Sequence, residues 1–224
     1  MTLWSQALEI ARVDLQVERR LGDTARIILP FAVVALLVFP LAMGARLAEI
    51  RAIGPAVFWS LGILFGMQVA LRQSATDSPT RRDMYALIGL DPVARLLGRA
   101  MSGGVLLTGF LLVLFLAMVV LYGPELASGS WWVLVVGSLL FAIGLTQLST
   151  LAGEVTAGLR NRAGMASLII APLSIPLVIG ASQALAAISG GTGILPWILL
   201  MVATDMALAV VGIGLARPLE EASR

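Results

Sequence analysis

The chain has 224 residues, 59% of them hydrophobic and 12% charged, with a mean hydropathy of +0.97 and a formal net charge of +2. A soluble domain carries about 25% charged residues; half that share cannot cover a water-facing surface of this size, so the class is integral membrane protein. Cysteine, histidine and lysine are all absent, which excludes disulfides, thiolate metal sites, a His-based triad, a P-loop lysine and a Schiff base.

Residues 3–20 open the chain without spanning. Leu3, Ala7, Ala11 and Leu15 recur every four residues, Trp4, Leu8 and Ile10 widen the stripe, and Glu9, Arg12, Gln16 and Arg19 lie elsewhere. This predicts an amphipathic helix, either lying in the cytoplasmic membrane interface or packed on the bundle as a leader. Gly22 suits its C-cap, and Asp23 or Thr24 suits the start of the next segment. The following apolar run begins only at residue 27, after acidic and basic residues, unlike the short basic n-region of a cleaved signal.

A span needs about 20 apolar residues. Six segments qualify: 27–45, 53–71, 101–122, 131–152, 166–188 and 194–216. The first two are divided only by "RLAEIRA" at 46–52, whose Arg46, Glu49 and Arg51 resist burial in hydrocarbon. Of the 15 arginines, 13 fall in the N-terminal stretch, the 72–100 loop, the loop after segment 4 and the tail. The positive-inside rule therefore places both termini in the cytoplasm.

The 72–100 connection is organised by two prolines. After Pro79 comes "TRRDMYALIGL", where Thr80 and Asp83 resemble a capping box and Met84, Tyr85, Leu87 and Ile88 form one apolar patch. Asp91 before Pro92 is an N-cap and N1 pair that starts a helix running into segment 3. Arg95 and Arg99, four apart, share a face and are expected near lipid phosphates. A short cytoplasmic helix between spans either fits a groove on a soluble partner or caps the bundle.

Gly62, Gly66 and Ala70 recur every four residues in segment 2, the small-residue spacing that lets helices approach closely. Pro172 and Pro176 lie one turn apart in segment 5. They free the carbonyls of Leu168 and Pro172, for which Ser174 is one candidate partner, and they predict a bend. That bend is either a deformable element or a fixed packing kink. Asp205, mid-span in segment 6, must face the bundle or be protonated; Thr204, Gln68, Gln147 and Gln183 are its candidate partners. It marks either a polar pathway or an interhelical hydrogen bond. No paired aspartates or metal cluster emerge, so neither enzymatic activity, cofactor, metal nor nucleic-acid partner is expected.

Six spans, an all-α membrane bundle, an interfacial N-terminal helix and a helical loop after span 2 together resemble the permease subunits of ABC-2-type exporters. More specifically, the chain is similar to the heme exporter protein B family, the CcmB-type permeases of cytochrome c maturation. Three stretches carry the likeness: "GPAVFWSLGILFGMQVALR" (54–72), "LIGLDPVARLLGRAM" (87–101) and "GLRNRAGMASLIIAPLSIPLVIG" (158–180), the last with the family's Pro-Leu-x-Ile-Pro core. The loop "RQSATDSPTRRDMYAL" departs from the family's usual Glu-Arg, Phe-Arg and Gly-x-Leu-Glu pattern. The resemblance implies a bacterial inner-membrane permease, paired as a homodimer with a separate ABC ATPase that hydrolyses the nucleotide. It also implies a haem-handling membrane protein and a periplasmic haem chaperone as partners, with ATP hydrolysis driving release of the loaded chaperone. In that frame Arg81, Arg82, Asp83, Tyr85 and Leu87 are the candidate ATPase-coupling residues. The alternatives are an ABC-2-type exporter permease for a lipid or drug, and a non-transporting membrane scaffold for a partner protein.

Overall fold

The computed structural model describes residues 2–22, 24–42, 44, 46–75, 84–85, 87–123, 131–156, 159, 162–189 and 191–222. Its helices are α1 (Leu3–Leu21), α2 (Leu29–Ala42), α3 (Leu47–Ala75), α4 (Pro92–Tyr122), α5 (Trp131–Val155), α6 (Arg162–Leu173), α7 (Ile175–Ser189) and α8 (Leu195–Ala222), with a π-helical turn at Thr24–Ile28. The described residues contain no strand. The chain is an all-α membrane bundle. Four helices are long and apolar enough to cross a membrane: Glu49–Arg72, Pro92–Tyr122, Trp131–Val155 and Leu195–Pro218. The number rises to six when α1 with α2, and α6 with α7, each count as one bent span.

Local chemistry sets the ends. The Asp91 carboxylate accepts the Val93 N–H at 2.8 Å with Pro92 in the first turn, so α4 begins where the Asp-Pro pair dictates and runs unbroken for 31 residues. Gly123 closes it at φ 50°. Gly22 ends α1 at φ 68°, and its N–H donates to the Glu18 carbonyl. Glu18 then bends back: its carboxylate accepts the Thr24 N–H at 2.9 Å, pinning the corner into the π turn. Thr24 thus lies inside that turn, and Asp23 is outside the described residues.

α5 is the most enclosed of the spanning helices and touches α3, α4, α6, α7 and α8. Its Phe141, Leu145 and Leu148 join Phe58 of α3 and Leu107, Leu111 and Leu114 of α4 in one apolar core. Gly62 of α3 receives Leu111, and Gly66 receives Leu107 and Leu145. The small-residue row is therefore a set of notches for leucines within the chain. Edge-on ring contacts link Trp131, Phe115, Phe58, Trp59 and Phe141 across three helices at centroid distances of 4.9–6.2 Å.

Pro40 sits inside α2 and cannot donate to the carbonyl of Leu36. The buried Tyr122 hydroxyl, at the far end of α4, donates to that same carbonyl at 2.7 Å. A backbone acceptor stripped by proline is thus satisfied by another helix, as a lipid environment requires.

Candidate functional site

The polar groups gather at two places. The first is the junction where the 72–100 connection re-enters the bundle at α4. Asp91 is its hub. Besides capping α4, its backbone N–H donates to Gln6 of α1 at 3.2 Å, and its second carboxylate oxygen lies 3.7 Å from Arg217 of α8. One residue therefore ties together α1, α4 and α8. Just before it, Ile88 N–H donates to the Met84 carbonyl and Leu90 N–H to Tyr85, both at 3.1 Å, and Gly89 turns left-handed at φ 74°. This is a Schellman-type closure, and its last residue, Leu90, directly precedes the hub.

One turn into α4, Arg95 and Arg99 are buried. Arg95 donates to Glu154 of α5 at 3.2 Å, and Arg99 lies 3.6 Å from the same carboxylate. All three side chains are no more than 8% exposed. The expectation that these arginines face lipid phosphates is corrected: they share a face, but it points at α5. Two guanidiniums converge on one carboxylate in a low-dielectric seam, where charge-assisted contacts are strong and a lone charge is costly. On the outer side of the same turn, Gly98 accepts α1 so closely that a Cβ would stand 2.6 Å from the Ala7 carbonyl and 2.8 Å from Ile10. The amphipathic helix is packed on α4 through Ala7, Ile10 and Ala11, while Trp4 and Leu8 remain exposed.

The second place is mid-membrane. α6 and α7 are parts of one bent segment, 42° apart, broken at Ser174 between Pro172 and Pro176. The fully buried Ser174 donates to the Ala171 carbonyl at 2.8 Å, so its hydroxyl serves neither Leu168 nor Pro172. Beside it, Gly144 of α5 lies tight against Leu177 of α7 and the Asp205 carboxylate of α8, and Gly180 lies against Met201. Asp205 is buried, and neither carboxylate oxygen has a hydrogen-bond partner among the described residues. Of its four candidate partners, Thr204 donates instead to the Leu200 carbonyl at 2.8 Å, Gln68 and Gln183 are exposed, and the Gln147 carbonyl oxygen is itself without a partner.

The loop candidates divide. Arg81, Arg82 and Asp83 lie outside the described residues. Tyr85 is half-buried, whereas Leu87 is 88% exposed beside Ile88 and Met84, forming an apolar tip. Glu154 was not singled out by sequence. Its signal was present: a lone acid at the end of an apolar span, opposite an Arg pair spaced for one helix face.

These features together define a polytopic all-helical membrane protein, with a buried ion cluster near one end of its bundle and a broken helix in its middle. The chain belongs to the CcmB family: the model of the CcmB protein matches residues 5–219. It is also 30% identical over 185 residues to heme exporter protein B of Haemophilus influenzae, covering 80% of this chain and 81% of that protein.

Proposed function

We propose that the chain is the membrane-spanning permease subunit of an ABC transporter complex acting in c-type cytochrome biogenesis, in haem delivery or in ATP-driven release of a haem chaperone. The family match and the name of the Haemophilus relative support the haem-exporter part of this reading. The observation that carries the mechanical part is the junction at Asp91. A push on the exposed side chains of Met84, Leu87 and Ile88 reaches Asp91 within a few residues, and from there α1, α8 and, along α4, the Arg95 and Arg99 that face Glu154 of α5. The permease acts as a transducer, with nucleotide hydrolysis in a separate ATPase docked on Arg81, Arg82, Asp83, Tyr85 and Leu87. Two copies form the working unit in the bacterial inner membrane, with all termini cytoplasmic. A haem-handling membrane protein and a periplasmic haem chaperone complete the assembly. With neither histidine nor cysteine, the chain offers haem iron only Met or Tyr among its usual axial ligands, which favours chaperone release over carriage of haem by this subunit.

The test is copurification. Detergent-solubilised wild type should bring down an ABC ATPase, and cells expressing it should mature c-type cytochromes. Leu87→Asp, on an exposed tip, should leave the fold intact and lose both. ATP hydrolysis by the purified chain alone would refute the reading. A captured ATPase with normal cytochromes after gene deletion would favour lipid or drug export; capture of no ATPase would favour the scaffold.

A further inference from the structure

We infer that the seam between α1 and α4 is a binding site for one anionic phospholipid, whose acyl chains lie on α4 and whose phosphate sits among Arg12, Arg19 and Arg26. Two adjoining hollows of about 490 and 400 Å³ run along this seam and share Leu15, Arg19 and Val105 in their walls. Their size is in the range of about 300–1,000 Å³ that holds a discrete ligand. The floor is apolar: Val105, Gly109, Phe110 and Val113 of α4. A Cβ placed on Gly109 meets nothing within 4 Å, so the floor is open there rather than plugged by the chain itself.

The rim is cationic. Arg12 and Arg19 are two turns apart on one face of α1, and Arg26 follows on the π turn; all three are exposed and line the hollows. None forms an ion pair with a described residue. Glu18 also lines the larger hollow, one of its oxygens accepting the Thr24 N–H; its single negative charge leaves the rim with a net positive charge from the three arginines. The occupant must therefore combine a negative head with an apolar tail. A second copy's apolar helix would leave that net positive rim against hydrocarbon, which is costly. A soluble anion would leave the floor unfilled. A phospholipid of the leaflet on which α1 lies satisfies both, and juxtamembrane arginines attract anionic lipid.

Full-length protein, stripped of lipid in a neutral detergent, is titrated with phosphatidylglycerol and with phosphatidylcholine of the same chains, and retained lipid is read by native mass spectrometry. Phosphatidylglycerol should be retained preferentially, at one molecule per chain. R19Q/R26Q should weaken it about 25-fold, at about fivefold per charge removed near a lipid head. Gly109→Phe, which projects into open space, should also expel it while leaving the melting temperature unchanged. Excess inorganic phosphate should not displace it. Equal retention of the two lipids, displacement by phosphate alone, or unchanged retention in both variants would overturn the site. A Gly109→Phe variant that changes oligomeric state without changing lipid retention would assign the seam to a second copy.

Discussion

Replacing Glu154 by Gln should destabilise the bundle severely. Glu154 is the carboxylate that both Arg95 and Arg99 face, at 3.2 and 3.6 Å, and none of the three side chains is more than 8% exposed. Gln keeps the volume and some hydrogen bonding but removes the counter-charge, leaving two guanidiniums in the seam between α4 and α5. Removing one partner of a buried pair costs about 3–5 kcal/mol, because the remaining charge cannot be rehydrated. At about 2–4 °C per kcal/mol for a chain of this size, the melting temperature falls by about 6–20 °C. The same physics makes a second, opposite expectation. Replacing the whole cluster with apolar residues (Arg95→Met, Arg99→Met, Glu154→Leu) removes all three of its charges at once and should restore stability to within about 1 kcal/mol of wild type, or exceed it. Thermal unfolding of the detergent-solubilised protein reads both. A Glu154→Gln protein that melts with wild type would refute a buried cluster; a triple variant that melts as low as the single one would refute the charge-burial argument. A triple variant that is stable but fails to mature cytochromes would locate the cluster's purpose in transduction rather than in folding.

Other sites give sharper local tests. Tyr122→Phe leaves the Leu36 carbonyl without its 2.7 Å donor and should cost about 1 kcal/mol of stability, measured by thermal unfolding. Gly98→Ala forces a methyl to 2.6 Å from the Ala7 carbonyl and should lever α1 off α4, costing about 1–3 kcal/mol and raising protease cleavage within residues 3–21. Pro172→Ala with Pro176→Ala should straighten the α6–α7 break and lower ATPase coupling in the assembled transporter; unchanged coupling would mark the bend as packing alone.

Much of the architecture was written in patterns that survive without tertiary knowledge. The Asp91-Pro92 pair starts α4, Gly22 ends α1, and the Gly62–Gly66 row is a packing face, because each of these is decided by backbone chemistry within one or two turns. The site at the start of α4 was legible only in part. The spacing of Arg95 and Arg99 put them on one face, but which neighbour that face meets depends on helix rotation and register, and those are properties of the packed bundle. Hence the lipid-facing expectation failed and Glu154 went unremarked. The same limit hid the bond from Tyr122 to Leu36, whose partners are 86 residues apart in sequence. Asp205 is the converse case: the sequence marked it as anomalous, and the structure seats it against Gly144, where only a residue without a side chain leaves room for the carboxylate.

The two proline sites show how one chemistry serves two mechanical ends. Each proline strips a carbonyl of its i+4 donor, and in hydrocarbon that acceptor must be met from within the protein. At Pro40 the donor comes from another helix: Tyr122 of α4 holds Leu36, so the geometry of α2 cannot change without breaking an interhelical bond. At the α6–α7 break the stripped carbonyls are those of Leu168 and Pro172; the Ser174 hydroxyl bonds to Ala171 instead, and among the described residues no side-chain hydrogen bond from another helix reaches the break. A bend with no interhelical hydrogen bond across it can change angle without breaking one. Its restraint is steric instead, from Leu177 beside Gly144 and Met201 beside Gly180, contacts that permit small sliding where a hydrogen bond would not. The α6–α7 break therefore lacks, among the described residues, the interhelical hydrogen bond that fixes the bend at Pro40.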